Sequence, residues 1–268
     1  MPELIRASGF SLEQITQIYN AGRTDYIVPM QLDAARMGEY LRIYDVDVNA
    51  SFVVRDGARF VGIGMLGLRG DRAWITRVGI APEARGQHIG DLIVGGLIDV
   101  ARERDLRLMQ LEVIEGNAPA IHLFHKVGFI DERLLLVLRR KASGLEPPDT
   151  PVQRLTSAEI DACLYQRAER QSWVDETASL RNADHLEGLR AGEGWIVLRN
   201  TGTQITHLVF GTKDQTAAAN LVRTIYSAYP THDTYFENLP ADSPLWPTLQ
   251  ALGFYEDFRR VEMIKALK

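Results

Sequence analysis

Two stretches of the chain end in the same way, and this repetition limits the possible folds more than any other feature. A helical pattern closes on Gly128-Phe129 and is followed by an acidic residue and an apolar strand pattern. The same succession returns 125 residues later at Gly253-Phe254, and at that offset Glu112 meets Glu237. Self-similarity at a fixed spacing indicates duplicated structural units. We therefore predict two halves with one fold.

The first half alternates strand and helix patterns. Residues with β-branched or alternating apolar character predict strands at 3–7, 50–55, 59–68, 73–80, 106–114 and 134–138. Apolar residues at helical spacing predict helices at 12–21, 32–43, 91–104 and 118–127. This order predicts an α/β (α+β) fold built on a mixed sheet.

A proline-rich segment separates the halves. Residues 143–151 contain three prolines and break both periodicities, so they are predicted to be a linker between domains at 1–142 and 152–268. The hairpin region of the second half offers strand patterns at 194–199 and 205–211 only. The second domain is therefore expected to be an abbreviated copy.

Composition narrows the class of protein. A formal net charge of −5 argues against a nucleic-acid binder, which would carry a basic face. The sequence lacks an apolar run of the roughly 20 residues that cross a bilayer, and its start does not resemble a signal peptide. We expect a cytoplasmic protein without membrane partners, disulfides or a metal site, and either a monomer or a homodimer.

The segment from Ile80 to Gly90 connects a predicted strand to a predicted helix. A strand that enters a helix through a glycine-containing turn presents unpaired N–H groups to one point, and the helix dipole adds positive charge there. Gly86 and Gly90 would let an anion approach the backbone, and Arg85 could add a full charge. The segment predicts a pyrophosphate site, although an ordinary strand–loop–helix connection would look similar.

A downstream pattern favours the first interpretation. Asn117 opens a helix that ends in Lys126-Val127-Gly128-Phe129, and an Arg-x-x-His-x-Gly pattern starts upstream at Arg85. Together these resemble the GCN5-related N-acetyltransferases, whose acetyl-CoA loop reads Arg/Gln-x-x-Gly-x-Gly/Ala and whose last helix ends in Lys-x-Gly-Phe. The resemblance is specific over 74–129 and compatible with residues 1–140.

The resemblance implies acetyl-CoA as co-substrate and assigns residues to it. Backbone groups of Val78, Gly79 and Ile80, on a strand with a bulge that Gly79 would tolerate, would hold the pantetheine arm. A backbone N–H there, at Val78 or Ile80, would polarise the thioester carbonyl. The other residues implied for the cofactor site are Arg85, Gly86, Gln87, His88, Ile89, Gly90, Asp91, Asn117, Ala120 and Phe124.

Two residues depart from the family pattern around the cofactor. His88 stands where a glycine is usual, and its amide can still point at phosphate if its φ is negative. Phe124 stands where the family often has a tyrosine that protonates the leaving thiolate. A thiol has a pKa of about 8.5 and leaves fairly well unaided, so Phe124 changes catalysis without excluding it.

A third departure concerns the base. Trp74 lies where some members place a general-base glutamate, yet an alkylamine with a pKa of about 10.4 must lose a proton before it attacks. Glu112, Tyr26, Tyr40 and Tyr44 are the candidates to accept that proton. Val78, Glu112 and Asn117 are the residues we predict to take part in catalysis.

The predicted function is transfer of an acetyl group from acetyl-CoA to an amine of a small molecule or a protein. An acetyl-CoA-binding sensor without transfer is the main alternative, because Phe124 and Trp74 replace usual catalytic residues. A tandem acyltransferase resembling mycothiol synthase would require substrate contacts from the second half. In that half the stretch matching the loop, Gly211 to Gln215, has no second glycine and no arginine, so it is predicted not to bind acetyl-CoA.

Overall fold

Residues 1–25, 28, 31–167 and 170–267 are described by a computed structural model of the chain. They form two compact units: unit 1 is residues 1–132 together with the chain from Val261 onward, and unit 2 is Arg133–Arg260. Residues 143–151 contain no helix or strand. That residues 1–142 and 152–268 fold as separate domains remains a prediction.

Unit 1 follows the order of elements predicted from its sequence. The elements are β1 (Glu3–Arg6), α1 (Leu12–Ala21), α2 (Ala34–Ile43), β2 (Phe52–Asp56), β3 (Arg59–Arg69), β4 (Arg72–Ile80), α3 (Ile89–Glu103), β5 (Leu108–Ile114) and α4 (Ala118–Lys126). β6 (Ile130–Arg140) begins in unit 1 and ends in unit 2. The first-half strands and helices are confirmed, with ends within two residues of the predicted ones except for β6, which begins four residues earlier than predicted.

Unit 2 repeats unit 1 element by element. Its elements are β7 (Gln153–Arg154), α5 (Ser157–Tyr165), α6 (Thr177–Asn182), β8 (Leu186–Ala191), β9 (Gly194–Asn200), β10 (Gln204–Phe210), α7 (Gln215–Ala228), β11 (Asp233–Pro240), α8 (Trp246–Ala251) and β12 (Tyr255–Ala266). The predicted repeat is confirmed, but the hairpin region of the second copy has three strands rather than the two expected, and the copy is instead shorter at β7, which has two residues. Strand β8 and helix α6 were missed by the sequence patterns.

Local sequence signals explain where the helices begin in both units. Ser11 and Gln14 form a reciprocal capping box before α1, and Thr156 and Glu159 form the corresponding box before α5. Gly128 ends α4 with φ of +88°, and Gly253 ends α8 with φ of +89°. A left-handed residue after a helix favours glycine, which accounts for the repeated Gly-Phe pairs.

Among the described residues, none of the helices has both the length and the apolar character that a membrane span requires.

The sheet of unit 1 is covered on both faces. Helices α3 and α4 pack on one face, where Ile93, Leu97 and Met109 are fully buried. Helices α1 and α2 pack on the other, where Tyr19 and Met37 are fully buried. Burial on both faces explains why β3 is apolar along most of its length rather than alternating.

Each unit is completed by a strand from a distant part of the chain. In unit 1 the order is β1-β2-β3-β4-β5, and the part of β12 from Val261 lies beside β5. Met263 of that strand is fully buried in the unit 1 core, and Leu267 donates its N–H to the Arg107 carbonyl at 2.9 Å. In unit 2, β6 pairs with β11 in antiparallel register. Each copy therefore takes its last strand from the sequence of the other.

Candidate functional site

Strands β4 and β5 of unit 1 run parallel and then separate. They pair from Arg72 with Leu108 to Ile75 with Leu111, and beyond this last pair β4 continues to Ile80 and β5 to Ile114. We call the residues past that pair, Thr76–Ile80 and Glu112–Ile114, the fork. On the side where β4 and β5 face each other, the strand pairing stops at Ile75 and Leu111, so the backbone groups of the fork on that side are available to an extended ligand.

A bulge causes β4 to turn away. On the β3 side, Ile63 pairs with Gly79 and Met65 with Thr76, so Arg77 and Val78 oppose a single residue. The predicted bulge is confirmed, but its left-handed residue is Arg77, with φ of +52°, rather than Gly79. A Cβ on Gly22 would lie 2.9 Å from the Gly79 carbonyl carbon, so glycine at position 22 lets α1 approach the bulge.

The loop after β4 brings unpaired amides to one end of α3. Gly86 has φ of +75° and His88 has φ of +61°. The N–H of Leu92 donates to the His88 carbonyl, so the amides of Ile89, Gly90 and Asp91 precede the first intrahelical bond. The condition placed on His88, a negative φ, is not met, because the histidine takes the left-handed conformation natural to glycine.

Replacing His88 by glycine is expected to relieve this strain. A non-glycine residue in the left-handed region costs about 1–2 kcal/mol, and histidine tolerates it better than most. We expect His88→Gly to raise the free energy of unfolding by about 0.5–1 kcal/mol in urea titrations. Gln87→Gly is the control. Gln87 is not among the described residues with a positive φ, so glycine at this position should lower the free energy of unfolding. Equal effects from the two variants would contradict the interpretation.

The arginine of the loop is engaged by a carboxylate. The Arg85 guanidinium donates two hydrogen bonds of 2.7 Å to Asp25, from the connection after α1, and one to the Ile80 carbonyl at 3.2 Å. These bonds with Arg85 lower the pKa of Asp25. Both side chains are about half exposed. The charge predicted to meet a pyrophosphate is thus largely balanced here by Asp25.

Asp25→Asn should strengthen binding of acetyl-CoA to this loop, because it removes a negative charge and releases Arg85. The pair is solvent-exposed, so we expect a gain of only about two- to fivefold, which falls as salt is added. Titration calorimetry at low and high ionic strength measures this. Asp71→Asn is a matched control, because Asp71 pairs with Arg107 elsewhere in unit 1. Equal affinities for Asp25→Asn and the wild type would mean that Arg85 does not reach the ligand.

Three further residues predicted for the cofactor site have packing or capping roles in the structure. A Cβ on Gly90 would lie 2.8 Å from Leu123, so this glycine allows α3 to contact α4. Asn117 caps α4 by accepting from the Ala120 N–H at 3.3 Å. Phe124 is buried and its ring lies 5.8 Å from that of Phe129. Phe124 therefore packs in the hydrophobic core of unit 1, and as a phenylalanine it has no hydroxyl that could donate a proton.

The candidate base, Glu112, lies on β5, the strand of the fork that faces β4. Trp74 donates its indole N–H to the Glu112 carboxylate, with 2.6 Å between nitrogen and oxygen. The rings of Tyr40 and Tyr44 pack against Trp74 at 6.2 and 5.8 Å between centroids. Burial raises the pKa of Tyr40, which makes its phenol a poor base near neutrality. Tyr26, another candidate, lies outside the described residues.

Arg77 was missed by the sequence analysis, although it projects from the bulge. Its guanidinium lies 3.8 Å from the Tyr40 ring centroid and donates to the Tyr19 hydroxyl at 2.9 Å. Thr76 meets the Tyr40 hydroxyl at 2.5 Å. A charged residue inside an otherwise apolar strand was the available signal. These contacts bring β4 and both N-terminal helices together at the fork.

The corresponding region of unit 2 is built differently. Strands β10 and β11 are also parallel, and a bulge places His207 at φ of +54°. However, the Asp214 carboxylate accepts from the Ala217 N–H at 2.7 Å and caps α7 itself. A Cβ on Gly211 would overlap the Trp195 ring at 1.8 Å. The Asp214 carboxylate therefore occupies the N-terminus of α7, and the Trp195 ring packs against the loop that precedes this helix.

Glu237, the counterpart of Glu112, is also differently paired. Burial alone would raise the pKa of Glu237, but Arg260, at 2.8 Å, with Arg139 and His207, lowers it to about 2. A carboxylate with so low a pKa is a weak proton acceptor at neutral pH. The second copy thus has the strands of the first with a differently paired carboxylate.

Comparisons with known proteins agree with this geometry. Residues 13–129 match the acetyltransferase (GNAT) family. A Bacillus subtilis (strain 168) protein, named provisionally as the ribosomal protein bS18 alanine N-acetyltransferase, is 27% identical over 117 residues, which are 44% of this chain and 75% of that protein. The streptothricin acetyltransferase of Streptomyces lavendulae is 41% identical over 58 residues, 22% of this chain and 31% of the relative.

Two solved structures match the fold of the whole chain. A GCN5-related N-acetyltransferase from Sphaerobacter thermophilus has a TM-score of 0.77 at 13% identity and is covered over 96% of its length. A tandem GNAT protein from the clavulanic acid biosynthesis pathway has a TM-score of 0.71 at 15% identity and is covered over 99%. Both cover 100% of this chain. At such low identity the similarity shows a shared tandem fold.

Proposed function

We propose that unit 1 transfers an acetyl group from acetyl-CoA to an amine, because residues 13–129 match the acetyltransferase (GNAT) family. The observation that supports this most is the fork between β4 and β5, since β4 leads through the loop to the first amides of α3, which precede the first intrahelical bond. An extended ligand with a phosphate at one end fits that succession of backbone donors.

The residues present fit acetyl-CoA through their main chain. Val78, Gly79 and Ile80 in the fork would hold the pantetheine arm, and the amides of 87–91 would hold the pyrophosphate. A Cβ at Gly86 meets nothing within 4 Å, so the loop leaves open space where it bends. Acetyl-CoA supplies the activated thioester, and the rest of the chemistry depends on side chains and amides of the chain.

In the proposed reaction the amine nitrogen attacks the thioester carbonyl carbon, the carbon–sulfur bond breaks, and CoA leaves as a thiolate. A backbone N–H, at Val78 or Ile80, would polarise the carbonyl, and one such buried donor contributes about 3 kcal/mol to acyl transfer. Glu112 would accept the proton of the amine. Since Phe124 has no proton to give, the thiolate would be protonated from solvent.

The acceptor is proposed to be a primary amine of a small molecule or a protein. The names of the two relatives mention one acceptor of each kind, a ribosomal-protein alanine and streptothricin. A panel should therefore pair peptides with free N-terminal alanine against polyamine-type and antibiotic amines. Thiol release from acetyl-CoA, read with a disulfide reagent, detects transfer to any member.

The experiment compares thiol release with and without each amine. We expect at least one amine to accelerate release well above the rate with water alone, and mass spectrometry should show that amine heavier by one acetyl group. Tight acetyl-CoA binding without turnover across the panel would instead favour a sensor. Phe124 and Trp74, which are both buried and stand where the family often has catalytic residues, are the observations that favour that second function.

A further inference from the structure

Trp74 on β4 and Glu112 on β5 form a hydrogen bond next to the last residue pair of the two strands. Trp74 precedes the final pair, Ile75 with Leu111, on one strand, and Glu112 follows it on the other. The indole nitrogen and the carboxylate oxygen are 2.6 Å apart. This distance is typical of a charge-assisted hydrogen bond. The carboxylate is thus held at the point where the fork opens.

The indole itself is fixed by its surroundings. Trp74 is 4% exposed, and its ring contacts those of Tyr40 and Tyr44, which lie 4.7 Å from each other. Tyr44 packs edge to face on both other rings and Tyr40 lies tilted against the indole, so the packed rings leave it little rotational freedom. Glutamate by itself has several flexible torsions and must lose entropy to hold one orientation. The three rings therefore give the carboxylate a rigid attachment.

We propose that Trp74 is a positioning residue for acetyl transfer: its indole N–H holds one oxygen of Glu112 so that the carboxylate faces the attacking amine. This inference rests on the proposed function and gives Trp74 a role that it exerts through Glu112. Fixing a proton acceptor within hydrogen-bond reach of its proton is a recognised requirement of general-base catalysis.

Other groups around the carboxylate must be considered in any pH experiment. Tyr40 and Tyr44 approach from α2, Arg77 from β4 and Tyr19 from α1. Arg77 and Glu112 both act electrostatically on Tyr40. Phenols titrate far above the range in which a carboxylate does, and arginine stays charged. A transition in the acidic range therefore reports the carboxylate.

The first test needs no acceptor. The chain has four tryptophans, so a ¹⁵N-labelled sample gives four indole N–H signals, and Trp74→Phe identifies one by its loss. We expect that signal to move as pH falls through the carboxylate range, and to stop moving in Glu112→Gln. A Trp74 signal that is insensitive to both changes would overturn the proposal.

The second test is kinetic and uses the most active amine of the panel. Trp74→Phe keeps an aromatic ring but removes the N–H, and we expect kcat/KM for the amine to fall about 10- to 100-fold. KM for acetyl-CoA should be unchanged. Because a hydrogen bond to a carboxylate favours its charged form, its removal should move the acidic limb of the pH profile to higher pH.

Trp195→Phe is the matched control, since Trp195 is 7% exposed and lies in unit 2. Its kinetics and pH profile should equal those of the wild type. Unchanged turnover and an unmoved acidic limb in folded Trp74→Phe would overturn the positioning role even if the NMR signals couple. A protein that acetylates no amine, yet shows the coupled signals, would contradict the proposed function and not the Trp74–Glu112 pair.

Discussion

Deleting the residues from Val261 onward should abolish the fold of unit 1 and its binding of acetyl-CoA. The deletion removes Met263, which is fully buried in the core, and exposes the edge of β5 beside which that strand lies. Loss of one such buried side chain costs about 2–5 kcal/mol, and a whole domain is stable by about 5–15 kcal/mol. Because the strand's backbone hydrogen bonds are lost as well, the total cost should exceed the free energy of unfolding of unit 1.

Circular dichroism, urea unfolding and calorimetry with acetyl-CoA would measure this effect. Met263→Ala should give the smaller loss of about 2–5 kcal/mol with binding retained below the transition. Tyr255→Ala, on the exposed part of the same strand, is the control and should be within about 0.5 kcal/mol of the wild type. A truncated chain that unfolds cooperatively and binds acetyl-CoA normally would show that unit 1 does not depend on this strand.

Glu112→Gln should give the largest catalytic loss of any single substitution in the fork. The amide keeps the shape of the side chain and can still accept from the Trp74 indole, but it cannot take up the proton of an amine. We expect kcat for the best amine to fall by about 10²- to 10⁴-fold. Affinity for acetyl-CoA should not change, because the backbone that would hold it is untouched.

The acceptor series provides the decisive comparison for this variant. The loss should be smaller for a weakly basic amine of similar shape, which is already unprotonated near neutrality. Glu115→Gln, an exposed residue just beyond β5, is the matched control and should behave as the wild type. If Glu112→Gln retained wild-type kcat with a strongly basic amine, the proton acceptor would have to be sought elsewhere.

The fold was predictable because its signals are local. Helix periodicity, the capping boxes at Ser11 and Thr156 and the glycines at 128 and 253 each act within a few residues of sequence. The loop before α3 was predictable for the same reason, since its amides belong to the backbone and follow from a strand–turn–helix succession.

The parts that were not predicted depend on distant contacts. Asp25 reaches Arg85 across 60 residues, and Trp74 reaches Glu112 across 38. The apolar pattern of 261–266 indicates a strand but cannot indicate which sheet receives it. Likewise, no propensity identifies Arg77 as the left-handed residue of the bulge while Gly79 stands nearby, because tertiary packing decides it.

The exchange of last strands has a consequence for how the protein is made. A ribosome synthesises β1 to β5 first, but the strand that lies beside β5 emerges only after all of unit 2. Until then the β5 edge is an unprotected template for pairing with other nascent chains. Unit 2 can receive its strand β6 as soon as its own sequence is complete. Unit 2 should therefore mature first, and unit 1 only after the strand from Val261 has been synthesised.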